Sequence, residues 1–98
     1  MMFAVLFEDD ATRADMRRQY MPAHLDFLAR NAGKIRAAGP LKQTDEGTPA
    51  GGLWLVEAGR AEEVKALTRE DPFWPTGLRK SVRILEWTRV FADGRKLI

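Results

Sequence analysis

Apolar and polar positions alternate along the chain with periods that change from block to block. Met2 to Glu8 is a short apolar run closed by acidic residues, with Phe3, Val5 and Phe7 on one face of an extended chain and Met2, Ala4 and Leu6 on the other. That pattern predicts a strand buried on both faces. Thr12 predicts a helix start, because its hydroxyl can accept from a free first-turn amide and Asp15, three residues on, forms an approximate capping box. The helix is expected to run to about Ala32 and stop at Gly33. Pro22 removes one helical hydrogen bond inside it, so either the helix kinks there or a second helix begins. Beyond Pro22, His24, Phe27 and Leu28 follow i, i+3, i+4 spacing and share a face, which turns the histidine toward the apolar stripe.

Ile35 to Lys42 reads as a strand interrupted by Gly39-Pro40, Gln43 to Gly51 as a polar, turn-rich loop, and Gly52 to Ala58 as the partner strand. From Ala61 to Glu70, the positions Ala61, Val64 and Leu67 repeat at helical spacing while Glu62, Glu63 and Lys65 face water. This helix ends at Asp71, because Pro72 disfavours helical geometry in the residue before it. Phe73 to Gly77 is an aromatic turn. Ser81 to Phe91 alternates as a long final strand, Leu85, Trp87 and Phe91 on one side and Val82, Ile84 and Val90 on the other, before a turn at Asp93-Gly94. The order β-α-β-β-α-β predicts an α+β, ferredoxin-like fold, an antiparallel four-stranded sheet with both helices on one face. Apolar residues on both faces of the outer blocks predict that a second copy covers the bare face, the rival cover being the tail or loops.

Composition narrows the function classes. A chain of 98 residues is expected to form a single domain, 1–98, around one core. Its 16 basic and 14 acidic residues are dispersed, which does not describe a nucleic-acid protein. Arg79, Lys80, Arg83, Arg89, Arg95 and Lys96 are expected at solvated strand edges and chain ends, a positive stripe beside a site being the alternative. The segment Gly51 to Leu55 offers Trp54 without a basic neighbour, unlike an RNA-stacking strand. No glycine-rich loop leads into a helix with Lys and Ser or Thr at its start, so phosphate cradling lacks support. Without cysteine, and with one histidine, no metal site is expected. The first apolar run is short and lacks a basic leader, so it reads as neither signal peptide nor membrane span, and a cytoplasmic protein is expected.

The predicted topology brings the end of the second helix to the end of the sheet where the first helix starts and the second strand ends. Asp71 and His24 are therefore expected to approach near Gly39-Pro40. A carboxylate beside an imidazole fixes its tautomer and stabilises its protonated form, which suits general acid/base work on a small organic molecule. Each residue also has a purely structural reading. His24 can be a core histidine satisfied by one carbonyl, and Asp71 a helix-ending turn. Trp54, Phe73 and Trp74 either wall an apolar pocket or plug the core. Gly39 either permits close approach by a ligand or marks a strand bulge.

Pro22-Ala23-His24-Leu25 with Leu28, Ala38-Gly39-Pro40-Leu41, the strand-opening Gly51, Val56-Glu57-Ala58, and Asp71-Pro72-Phe73 with Gly77 occur in that order over nearly the whole chain. The ordered set resembles the YciI-like (YCII-related) proteins. The resemblance implies a ferredoxin-like dimeric α/β-barrel, similar to muconolactone isomerase, with a pocket holding a His and Asp pair that maps onto His24 and Asp71. It further implies acid/base catalysis without a cofactor, such as elimination or isomerisation of small compounds. One departure matters: many members carry Ser after the glycine that opens the third strand, and this chain has Gly52. The resemblance therefore supplies no third polar group. The expectation is a homodimeric, cofactor-independent acid/base enzyme acting on a small molecule; the alternative is a non-catalytic module binding a ligand or partner protein through the same cavity.

Overall fold

Alternation in the first strand decides the layering. In a computed structural model describing residues 1–98, β1 (Met2–Asp9) buries Phe3, Val5 and Phe7 and leaves Met2, Ala4 and Leu6 half-buried. Only one face of the strand meets helices, so burial on both faces is not observed within the chain. The elements that follow are α1 (Ala14–Arg30), β2 (Ile35–Lys42), β3 (Pro49–Glu57), α2 (Ala61–Glu70) and β4 (Arg79–Glu86). They form an antiparallel sheet in the order β2-β3-β1-β4, with Val5 opposite Trp54 on one side and Ile84 on the other. Phe27 from α1 and Val64 and Leu67 from α2 join Phe3, Val5, Phe7, Trp54 and Val56 in one core cluster, so both helices lie on the same face. This is the ferredoxin-like α+β arrangement. No helix is long and apolar enough to cross a membrane.

Local chemistry departs from expectation at the helix starts and at the C-terminal end. Asp10, not Thr12, provides the cap: its Oδ1 accepts from Thr12 N at 2.9 Å and Thr12 Oγ1 at 2.7 Å, closing a single 3-10 turn over Ala11–Arg13 before α1. A carboxylate is the stronger acceptor, and it turns the threonine hydroxyl into a donor. α1 continues through Pro22 as one helix and stops at Arg30, where Asn31 takes the cap position and donates Nδ2 to Phe27 O at 2.9 Å. Pro22 is tolerated because it and Arg18, whose carbonyl loses its partner, both face water. In α2, Val64, Leu67 and Thr68 are buried while Ala61 is exposed.

The final strand is shorter than its alternation suggests. Trp87 N donates to Met2 O, where β1 begins, and no partner strand extends past it, so β4 ends at Glu86. The tail forms a separate hairpin, Phe91–Ala92 with Arg95–Lys96. Its two-residue turn has Asp93 and Gly94 at φ 54 and 76°, as a type I′ connection requires. β3 starts earlier than expected, at Pro49, and Gly51 in it has φ 122°. A Cβ there would lie 1.8 Å from Phe7 O, so no other residue fits between β1 and β3.

Candidate functional site

α1 carries His24 on its buried face, and the end of α2 carries Asp71. Pro72 forces Asp71 out of helical geometry, to φ −63° and ψ 130°, which frees its side chain to fold back beside the backbone. Asp71 Oδ1 accepts from Phe73 N at 3.0 Å and lies 2.8 Å from His24 Nδ1. An ionised carboxylate only accepts, so the proton of this bond sits on Nδ1. His24 and Asp71 are 6% and 2% exposed, and the imidazole stacks on Phe73 with ring centroids 4.1 Å apart and planes inclined at 15°. His24 Nε2 makes no hydrogen bond within the chain.

A hollow of about 90 Å³ opens between α1 and the β2–β3 edge, and its walls include His24, Gly39, Pro40 and Trp54. The sequence-derived residues divide accordingly. His24, Gly39, Pro40 and Trp54 meet around this hollow, whereas Phe73 supports His24 from behind it and Asp71 contacts His24 without lining it. Trp74 does not line it; the Arg69 guanidinium lies 5.9 Å from its ring. Register shifts in the β2–β3 ladder fall between Ile35 and Ala37 and between Leu41 and Lys42, so Gly39 is not a bulge, and the space a side chain would take there is open.

Three further charged groups meet here, of which the sequence pattern offers only Arg79, as one member of the alternative positive stripe. Arg17 and Arg79 both line the hollow, and Asp9 bridges them, accepting from Arg17 Nη2 on Oδ2 and from Arg79 Nη1 on Oδ1 at 3.0 Å. The Arg79 side chain is only 3% exposed, so the solvated-edge expectation fails for this residue. Burial pushes the Arg79 guanidinium below the ordinary arginine value, against the pull of Asp9. Its Nη2 lies 4.0 Å from Asp71 Oδ2. For Asp9 and Arg17 the only sequence signals are the acidic end of β1 and an arginine eight residues later. On the other side of Arg17 and Pro40, which both spaces share, a groove of about 400 Å³ runs past Asp9, Lys42 and Thr48. No three His, Cys, Asp or Glu side chains come together as a metal cluster.

The model of the YCII-related domain matches residues 1–88, and the chain belongs to that family. Among solved structures, the chain is similar to 5-chloro-2-hydroxyhydroquinone dehydrochlorinase (TftG) from Burkholderia phenoliruptrix AC1100, in complex with 2,5-dihydroxybenzoquinone. The TM-score is 0.78 and the identity 27%, covering 91% of this chain and 95% of that one. No curated protein sequence matches the chain significantly.

Proposed function

We propose that this YCII-related protein is a cofactor-independent acid/base enzyme that eliminates or isomerises a small organic compound, with His24 as the base and Asp71 as the residue that orients it. The observation that carries the reading is the 2.8 Å contact between His24 Nδ1 and Asp71 Oδ1 beside a hollow. With Nδ1 committed to the carboxylate, Nε2 is the nitrogen left to take a proton, and Asp71 stabilises the cation that results. The similarity to a dehydrochlorinase supports elimination: the base removes a proton, the electron pair released re-forms a multiple bond, and the leaving group departs as an anion.

The 90 Å³ hollow is smaller than the roughly 150 Å³ engineered cavity that admits benzene, so a ring must extend beyond it. Arg17 is 23% exposed and lines both this hollow and the adjoining groove, toward which a ring can extend. We further infer that residues 1–98 act as one unit in the cytoplasm and as a homodimer. Half-buried Ala4, Leu6, Leu53 and Leu55, with Leu85 44% exposed, form an apolar patch on the helix-free sheet face, and a second copy offers a matching one. Neither a nucleic acid nor a membrane is a partner in this reading.

A test is direct. The wild type is incubated with 5-chloro-2-hydroxyhydroquinone and related chlorinated phenols, and chloride release is followed beside His24→Gln. Release by the wild type that falls by about 10² or more in the variant supports the reading, since positioned proton transfer contributes on that order. Equal release by both proteins removes His24 as the base, and stabilisation of the wild type by these compounds with no turnover of any favours a binding module instead.

A further inference from the structure

Arg79 is the least ordinary group around His24. An arginine at a strand end normally keeps its head group in water, yet this side chain is 3% exposed. Of its three nitrogens only Nη1 is hydrogen-bonded, to Asp9. Nε is buried with no partner, and Nη2 stops 4.0 Å from Asp71 Oδ2, which is itself buried and unpartnered. Within the chain, Nε and Nη2 of Arg79 thus carry donors that no protein acceptor takes.

Gly52 makes it possible. A Cβ at that position would start 3.2 Å from Arg79 Nη1 and 3.4 Å from Gly39 O, tighter than ordinary packing. Glycine thus leaves room for the guanidinium at the place where the sequence offers no polar side chain of its own. Arg79 lies over the ring of Phe7, 4.1 Å from its centroid, and 5.2 Å from that of Phe73. Phe73 also stacks on His24, so one aromatic side chain registers the cation and the imidazole against each other. Beside the hollow, the Arg17 and Arg79 guanidiniums face the Asp9 and Asp71 carboxylates. Proton transfer to His24 adds one positive charge to this set and one negative charge to the substrate, which an open guanidinium donor is suited to receive.

Resting on the acid/base reading above, we propose that Arg79 is an oxyanion-binding residue: it receives the substrate oxygen on which negative charge collects as His24 withdraws the proton. The substrate class is then a small ring in which an acidic enol hydroxyl is separated by its C=C bond from a saturated carbon that holds the leaving group. Nε2 takes the hydroxyl proton, the electron pair left on oxygen re-forms a carbonyl, and the enol C=C pair shifts to make a new C=C bond to the saturated carbon as the leaving group departs with its bonding pair. No oxidant or reductant takes part.

Calorimetric titration tests this with 2,5-dihydroxybenzoquinone, whose hydroxyls ionise, and 2,5-dimethoxybenzoquinone, which has none. The wild type is expected to prefer the dihydroxy compound by on the order of tenfold or more, the factor a charge-assisted hydrogen bond supplies. Arg79→Met is expected to lose that preference and Arg79→Lys to keep part of it. Gly52→Ala, which crowds the guanidinium without removing it, is expected to weaken the preference and serves as the test if Arg79→Met does not fold. His24→Gln is expected to keep the preference while losing turnover. A wild type with no preference or no binding, or an undiminished preference in Arg79→Met or Gly52→Ala, overturns the assignment. Undiminished turnover in His24→Gln overturns the acid/base reading and leaves the oxyanion site standing.

Discussion

Asp71→Ala probes the buried pair most sharply, because Asp71 Oδ1 takes two donors, His24 Nδ1 at 2.8 Å and Phe73 N at 3.0 Å. Asp71 is 2% exposed, so water does not replace the lost acceptor. Each buried donor left without a partner costs about 1–3 kcal/mol, which gives about 2–6 kcal/mol for the pair. That is a large share of the roughly 5–15 kcal/mol that holds a domain folded. The change also leaves Arg79 with Asp9 as its only nearby carboxylate, an effect of the same sign. Asp71→Asn keeps an acceptor oxygen for both donors and loses chiefly the charge assistance, about 1–1.5 kcal/mol. Urea unfolding followed by tryptophan fluorescence, at constant m-value, reads both variants. The expected order of stability is wild type, Asn, Ala. An Ala variant within about 0.5 kcal/mol of wild type, or an Asn variant as damaged as the Ala variant, refutes the two-donor explanation.

Gly51→Ala places a methyl 1.8 Å from Phe7 O at a φ of 122°; a loss of more than about 4 kcal/mol, or failure to fold, is expected by circular dichroism. Gly33→Ala, which meets open space, is expected to stay near wild type in the same measurement. The Thr12 hydroxyl and amide hold the Asp10 carboxyl below its usual range. Its contribution is therefore present above the unfolded value near 3.8 and lost as pH falls through the lower folded one. Asp10→Ala is expected to melt earlier than wild type at neutral pH, with the gap closing in acid; a gap constant down to strongly acidic pH contradicts this. Light scattering is expected to give about twice the 11.1 kDa chain mass for the wild type and dissociation or misfolding for Leu85→Asp; a folded wild-type monomer refutes the dimer.

The strand and helix order is legible in the sequence because β1, β3 and α2 each bury one face and show it in their period, whereas β2, in which only Ile35 is buried, is marked by its limits. β2 carries its limits openly, between Gly33-Lys34 and the polar loop, and the break at Pro72 announces where α2 ends. The cap at α1 is not legible, since Asp10 and Thr12 are both good acceptors and only the fold decides which one accepts. Alternation in Ser81 to Phe91 misleads for a different reason: it describes the side chains, whereas β4 ends where its partner β1 begins. In the site, the meeting of His24 with Asp71 follows from topology and from the Asp-Pro break. Arg79 could not be read this way. Its burial depends on Asp9, Gly52 and Phe7, which are remote in sequence, and beside Lys80 and Arg83 it looks like one more surface charge.

His24 is the only histidine in the chain, so its ring nitrogens give an unambiguous ¹⁵N signal. The ¹⁵N spectrum, recorded with and without 2,5-dihydroxybenzoquinone, is the most direct measurement of a base oriented by Asp71 and open to a substrate. The expected result is a proton on Nδ1 in the free protein and a shift of the Nε2 resonance as the compound saturates the site. A proton on Nε2 instead, or an Nε2 resonance that does not move at saturation, contradicts the account.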